Sequence, residues 1–584
     1  MKRPYSKFVV LALAGMLALA ATNSYAQHRV YVSLNADKST GTWTFTPLVA
    51  KDYQGNPTTF PPGPITVPSW WSDHNPDWDD DWPDDDPRDK HIEQAQYTRI
   101  FEVPASMTGK RIKLFFGEVN HSAEVSVNWQ LVGPKHYQGN VPFEYDITDF
   151  VNPGYPTLNT LDVVVWDHND LRNPSDMNMY LYPFGHPMWA NMMNGIAQDV
   201  TLYAVPKIYV KDVFVITSVE LSEITLKITI ANEDTVAHTV DIENDIRKIT
   251  QVRPEVSILE RTLNSSSPTL VNPGEEVEVV LTDTWSDPAL WWPHDPQLYR
   301  LHTRLVESST VIDEKTDVRF GFREIQVDGA RYNLNGVPFH GWGDTDNTMN
   351  CNLWLDRDMV GYRLDTEKAF GVRLMRHGAA LPPPHVFYDL CDEKGILCYA
   401  EMNYNGQNEG GTVNGVTIYH HDYGDPTFEA NVATMAEALT KHYRNHPSII
   451  IWSIENEVFY GGQPSYNATT RQRIADIRTV IDAEDGTRPV GVDSDGTLSG
   501  LLEIKNKHYP GSVSNVNDDG PARAYTNWSN NSNIYWVTGI NPPTVPLGVG
   551  EYMFNKTPSG DRNNIQCPSN WGRLKALQLR AYRL

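Results

Sequence analysis

Two β-sandwiches followed by a (β/α)8 TIM barrel is the multi-domain fold class this sequence predicts, on three observations. Up to about residue 320 the chain runs in short alternating apolar and polar segments broken by Gly, Pro, Asn and Asp; beyond it, apolar strands recur with helical stretches between them; and the 584 residues are too many for one core. Short alternating runs are the pattern of half-buried antiparallel strands, whereas strand and helix in alternation predict a parallel sheet.

Residues 1–26 read as a secretory signal peptide: Lys2, Arg3 and Lys7 precede the apolar run Phe8 to Ala21, and Ser24-Tyr25-Ala26 offers a small-x-small site with cleavage after Ala26. The run is short for a membrane span and no cysteine follows it to accept a lipid, so a periplasmic or secreted protein is expected. From 27 to 205, segments such as Arg111-Ile112-Lys113-Leu114-Phe115-Phe116 and Leu161-Asp162-Val163-Val164-Val165-Trp166 predict the first sandwich. The acidic stretch Asp73 to Asp89 within it, carrying Trp78 and Trp82, reads as a solvated loop, with a calcium site or a sugar-contacting flap as alternatives. From 206 to 320, Ile224-Thr225-Leu226-Lys227-Ile228-Thr229-Ile230 and Val277-Glu278-Val279-Val280-Leu281 predict a second, smaller sandwich.

From 321 to 584, apolar segments at Phe339-His340-Gly341-Trp342, Val372 to Arg376, Leu397 to Ala400, Ile449 to Trp452, Pro489 to Val492, Ile504 to His508 and Leu547 to Gly550 supply strands, with a helix over Phe428 to Tyr443. These are about seven strands against the eight of a complete barrel, and only roughly 30 residues follow the last, of which Trp571 to Tyr582 read as helix. The barrel is therefore expected to be incomplete at its C-terminal end.

The formal net charge of −25 argues against nucleic acid and anionic membranes, which need clustered Lys and Arg. It also weighs against a densely anionic polymer unless a local basic pocket overrides the field. The 17 Trp, 28 Tyr and 18 Phe suit rings that stack on pyranose faces, and equally rings that fill cores. The four cysteines, Cys351, Cys391, Cys398 and Cys567, lack metal-ligand spacing and read as buried thiols, with a disulfide as the alternative in an oxidising compartment. No metal site and no cofactor emerge from the spacing of His and Cys; the acidic stretch leaves Mg²⁺ or Ca²⁺ open there.

Ser453-Ile454-Glu455-Asn456-Glu457 follows the run Ile449 to Trp452, which sets Asn456 and Glu457 at the carboxyl end of a barrel strand, where enzymes of this fold keep their active sites. Gly550-Glu551-Tyr552 likewise ends the run Pro546 to Val549, so Glu457 and Glu551 are expected to converge across the barrel mouth. Two carboxyls about 5–5.5 Å apart are what retaining glycoside hydrolysis requires, one attacking the anomeric carbon while the other protonates the leaving oxygen. Mutual repulsion keeps the acid protonated until the leaving group takes its proton. A lone Asn-Glu or Gly-Glu is ordinarily structural; the pairing on two strand ends makes it specific. Glu455, two residues before Glu457, is expected by strand alternation to point elsewhere.

At this point the chain resembles glycoside hydrolase family 2, which contains β-galactosidases, β-mannosidases and β-glucuronidases. Tyr97 to Pro104, Phe143 to Thr148 and Gly195 to Val200 are similar to its jelly-roll sugar-binding domain, and Trp292-Pro293 with Pro296-Gln297-Leu298-Tyr299 to the end of its immunoglobulin-like domain. Asn335-Gly336-Val337-Pro338, Phe387 to Glu393, and Arg444-Asn445-His446-Pro447-Ser448 leading into Trp452 to Glu457 are similar to its barrel signatures. The resemblance implies Glu457 as acid/base, Glu551 as nucleophile, Asn456 as the amide on the sugar's 2-hydroxyl, and Arg376 as the arginine that holds the nucleophile charged. Tyr509 resembles the aromatic hydroxyl beside the nucleophile, with His508 next to it; either reads equally as a packed strand-end residue. Arg373 competes with Arg376, and His377 reads as a substrate contact or as a satisfied loop histidine.

The activity implied is that of a retaining exo-acting β-glycosidase, β-galactosidase-like, cleaving oligosaccharides by double displacement, with oligomer formation left open. Three departures set it apart from the galactosidase pattern: Gly343-Asp344-Thr345-Asp346 after the first strand, Arg376-His377-Gly378-Ala379 after the second, and His186-Pro187 before Met188-Trp189. The alternative reading is a non-catalytic carbohydrate-binding protein with a degenerate barrel; a structural adhesin would leave both glutamates idle.

Overall fold

The computed structural model describes residues 28–35, 43–52, 56–71, 90–139, 141–154, 158–167, 181–183, 194–329, 331–339, 343–346, 357–377, 385–405, 412–413, 416–417, 425–456, 458, 468–493, 502–508 and 547–551. The signal peptide, the acidic stretch 73–89, Cys351, Cys567, the Met188-Trp189 segment and the expected helix 571–582 lie outside these residues.

The first sandwich packs a four-stranded sheet, in the order Val30–Ser33, Val200–Val205, Arg111–Phe116, Phe143–Asp146, on a larger antiparallel sheet built around Lys90–Glu102 and Leu158–Trp166. Leu158–Trp166 shows why: Asn159, Leu161, Val163 and Val165 face inward and are buried, while the residues between them face out. In the second sandwich, three strands (Ile208–Ser218, Glu223–Asn232, Glu276–Thr284) lie against five centred on His238–Gln251 and Tyr299–Glu307.

In the barrel, β1 (Gly343–Asp346), β2 (Leu374–His377), β3 (Leu397–Asn405), β4 (Ile449–Asn456) and β5 (Val490–Asp493) form one parallel sheet, and β6 (Lys505–His508) pairs with β7 (Leu547–Glu551) in parallel. Every residue of β4 is buried, as a parallel strand covered on both faces must be. Helices α1 (Arg357–Ala369), α2 (His385–Lys394), α3 (Pro426–Tyr443) and α4 (Ala468–Glu484) alternate with the strands. Asp425 caps α3 by accepting the Thr427 N–H at 2.6 Å, with Pro426 at the first helical position. Cys391 and Cys398 are buried thiols.

One expected strand is placed differently. Val337–Phe339 does not enter the parallel sheet; it pairs antiparallel with Arg331–Leu334 across Asn335-Gly336, both at positive φ (52° and 76°). Asn-Gly is the strongest short hairpin signal, and it ends the strand before the barrel begins at Gly343.

The segment Arg444 to Ser448, between α3 and β4, joins barrel to second sandwich. Asn445 accepts the Val215 N–H at 2.9 Å and donates to the Val213 carbonyl at 2.8 Å, while Arg444 pairs with Asp212 and, at 2.6 Å, with Glu484. From the sandwich side, Arg323 donates to the carbonyls of Pro447 (3.1 Å) and Ile449 (2.9 Å), and the Trp291 indole to that of Asp392 (2.9 Å). Asp389, Asp392 and His446 have the spacing of a cation site; Asp389 and Asp392 pair with the Arg319 guanidinium, which also pairs with Glu393 at 2.9 Å, and His446 Nδ1 lies 2.7 Å from Asp392 Oδ2. Gly395 (φ +69°) sits where a Cβ would lie 2.3 Å from the Pro293 carbonyl oxygen, so this contact admits only glycine.

The first sandwich reaches the barrel at α3: Gln138 donates to the Asn431 carbonyl at 3.1 Å, and Asn431 to that of Leu181 at 2.7 Å. Nearby, Glu118 is buried and accepts from Asn120 at 2.9 Å and Gln198 at 2.8 Å. Burial pushes its carboxyl up to about 7 from 4.5, against the pull of those two donors. Between these values the unfolded chain has lost a proton the folded one keeps, so stability falls as pH rises through the window and levels off above it. The expected cost is on the order of 3 kcal/mol by pH 8. Glu118→Gln should flatten that part of the curve of thermal midpoint against pH; an unchanged slope would show that Glu118 ionises freely.

Candidate active site

Among the described residues seven parallel strands end, in chain order, at Asp346, His377, Asn405, Asn456, Asp493, His508 and Glu551. Each carboxyl end carries a polar or titratable residue, and register brings them together in pairs: Asp346 with His377, Asn405 with Asn456, Asn456 with Asp493, His508 with Glu551. Of the residues singled out from sequence, Glu457 and Tyr509 lie outside the described residues; His377, His508 and Glu551 are placed by their backbone at strand ends.

Arg376 and Asn456 are placed in full, and they touch. Arg376 is 5% exposed, and its Nη2 donates to Asn456 Oδ1 at 2.6 Å. Its Nε and Nη2 also grip Glu401, through three contacts of 2.8 to 3.0 Å, and Nε pairs with Asp493. Arg373, by contrast, is exposed before the strand. Glu401 and Asp493 were not anticipated. Both side chains are fully buried, and an isolated buried carboxylate is untenable without a cation, which the fork of Arg376 supplies to both. An acid inside the apolar run Leu397 to Met402 was the available signal for Glu401.

Ser453 Oγ also reaches Glu401, at 3.4 Å. Burial, with the charges of Asp493 and Glu401 adding to it, holds the Tyr399 hydroxyl well above the ordinary tyrosine range, so it stays a neutral donor. Glu455 keeps different company: its carboxylate accepts the Val458 N–H at 2.6 Å, beside Tyr404. Alternation does not itself separate Glu455 from Glu457, contrary to the expectation from sequence, because residues two apart share a face of a strand; β4 is irregular between Ser453 and Asn456, both of which reach the Arg376 network, while Glu455 binds the Val458 N–H. Behind Tyr404, burial raises Glu429 to about 7 against the pull of Arg473, its partner at 2.7 Å.

The arrangement among the described side chains is a buried ion cluster at the carboxyl ends of β2, β3 and β5, with the Asn456 amide at the end of β4 hydrogen-bonded to it. Such a site can bind hydroxyl groups with the chain's own side chains.

Comparison with known proteins agrees with this architecture. Residues 60–206 match the model of the glycosyl hydrolases family 2 sugar binding domain, 208–323 that of glycosyl hydrolases family 2, and 325–561 that of its TIM barrel domain. A β-galactosidase of Enterobacter cloacae is 25% identical over 462 residues, taking in 78% of this chain and 40% of that protein. A β-glucuronidase of Paenibacillus borealis is 25% identical over 427 residues, 68% of this chain and 62% of the relative. The chain thus spans less than two thirds of the length of either of these curated relatives, 40% of the first and 62% of the second. Among solved structures, a β-galacturonidase from Eisenbergiella tayi bound to galacturonate superposes with a TM-score of 0.67 at 21% identity, covering 95% of this chain and 88% of that one. Three domain matches in unbroken order, over the two sandwiches and barrel described above, show that the chain belongs to glycosyl hydrolases family 2.

Proposed function

We propose that the chain is a retaining, exo-acting β-glycosidase that hydrolyses O-glycosidic bonds of oligosaccharides, β-galactosidase-like, with Glu551 as nucleophile and Glu457 as acid/base. The observation that carries this reading is the buried Arg376–Asn456 contact at the carboxyl ends of β2 and β4, directly before Glu457 in the chain. The register pairing of His508 with Glu551 supports a second half of the site on β6 and β7. In the mechanism, Glu551 attacks the anomeric carbon as Glu457 protonates the departing oxygen; Glu457 then deprotonates the water that releases the sugar, with net retention. Arg376, His377, His508 and Tyr509 would line the sugar pocket.

The domains proposed are 27–205, 206–320 and 321–584, supported by the end of one sandwich strand at Val205 and the start of the next at Ile208. Export behind a signal peptide of residues 1–26 completes the proposal, supported by sequence; among the described residues, no helix is long and apolar enough to cross a membrane.

The relatives carry galactose- and uronate-directed names, so the test is nitrophenol release from 4-nitrophenyl β-galactoside, β-glucuronide and β-galacturonide. Turnover of at least one, with the β-anomer of the sugar released first by NMR, is the expected result. Sugar binding without turnover would instead establish the carbohydrate-binding alternative. Glu457→Ala should slow alkyl glycosides by about 10²–10⁴-fold and nitrophenyl glycosides far less, because a good leaving group needs little proton donation. Equal losses on both would remove Glu457 from the acid role.

A further inference from the structure

Resting on that reading, we infer that Glu401 and Asp493 are positioning residues that act through Arg376 to fix the Asn456 amide as a hydrogen-bond donor to the substituent at the sugar's C2.

The argument begins with donors and acceptors. A guanidinium has five N–H donors and no acceptor, so the atom of Asn456 facing Arg376 Nη2 at 2.6 Å must be the carbonyl oxygen. The Asn456 Nδ2 group is thereby turned the other way, and among the described residues it makes no hydrogen bond. With Oδ1 occupied, the amide can offer substrate only its N–H pair. That suits an oxygen acceptor next to the reacting carbon, where hydrogen bonds strengthen as positive charge develops on the ring.

Arg376 can enforce this only if it cannot turn. Its Nε and Nη2 hold both oxygens of Glu401, at 2.8 to 3.0 Å, and its Nε also pairs with Asp493, with both carboxylates fully buried. Three strands contribute: Arg376 from β2, Glu401 from β3, Asp493 from β5, with β4 carrying Asn456 between the last two. The guanidinium is shared by two carboxylates, so neutralising either acid keeps it paired with the other. What is lost is the bidentate grip. An amide presents an N–H group to a donor-only partner, and the guanidinium is free to tip away from Asn456.

The test compares kcat/KM on whichever 4-nitrophenyl β-glycoside the wild type hydrolyses fastest with that on its 2-deoxy counterpart. The substrate's own reactivity cancels when variants are compared by this ratio. Glu401→Gln and Asp493→Asn are each expected to lower kcat/KM on the parent glycoside by about 10- to 100-fold, mostly in kcat, and on the 2-deoxy substrate by less than about threefold. Asn456→Ala provides the reference: its loss should also vanish on the 2-deoxy substrate. Should Glu401→Gln fail to fold, Asp493→Asn gives the same readout. Equal proportional losses on the two substrates in the acid variants, with Asn456→Ala behaving as expected, would overturn the inference and leave the glycosidase reading standing. Equal losses in Asn456→Ala itself, or a wild type that turns over none of the glycosides, would overturn both.

Discussion

Glu551→Gln should reduce kcat/KM on an activated aryl β-glycoside by on the order of 10⁴-fold or more, with little change in thermal midpoint. The substitution is nearly isosteric and falls on the last residue of β7, so the strand pairing with β6 should survive. An amide nitrogen cannot attack the anomeric carbon, and no covalent glycosyl-enzyme forms. The missing attack can be supplied from outside. In Glu551→Ala, where truncation vacates the attacking face, azide would enter there, displace the aryl group and give the α-glycosyl azide, the leaving oxygen still taking its proton from Glu457. Recovery of turnover by azide with that stereochemistry would identify Glu551 as the nucleophile. Full activity without azide would place the chemistry on another residue, and loss of activity without rescue by azide would point to a structural role.

The parts of this fold legible in the sequence were those written in periodicity. Leu158–Trp166 alternates because one face is wet, and Ile449–Asn456 runs apolar because neither is, so sandwich and barrel separate on pattern alone. Strand ends follow from the same reading, which sets Asn456 at one of them, while Arg376 and the role of Asn456 come from the family resemblance. Periodicity carries no information on which buried charges meet. Glu401 and Asp493 lie 92 positions apart on strands two places removed in the sheet, and only the parallel register of β3, β4 and β5 brings them to one guanidinium. The segment Arg444 to Ser448 was readable as a family signature but not as a joint, because its partners Asp212, Val213 and Val215 belong to the preceding sandwich, more than 200 residues earlier. Phe339 misled for a local reason: an apolar strand of the expected kind was closed off by the Asn335-Gly336 turn into a hairpin.

Arg376→Met should be the most damaging single change to the barrel, costing about 3–5 kcal/mol of stability as well as activity. Methionine keeps much of the arginine's length and apolar volume, so little cavity results; the damage is electrostatic. Glu401 and Asp493 would be left as two buried like charges without the cation that both now share. Protonating them relieves the repulsion, so the gap between variant and wild type in urea midpoint should narrow as the pH is lowered. Arg376→Lys separates charge from geometry. A lysine ammonium restores a counter-charge and with it most of the lost stability, yet a point charge cannot hold both oxygens of Glu401 and reach Asn456 at the same time. The expected signature is therefore a lysine variant that unfolds near the wild-type urea midpoint and still loses kcat. A lysine variant with wild-type kcat would mean that the charge of Arg376, and not its fork, is what the site uses.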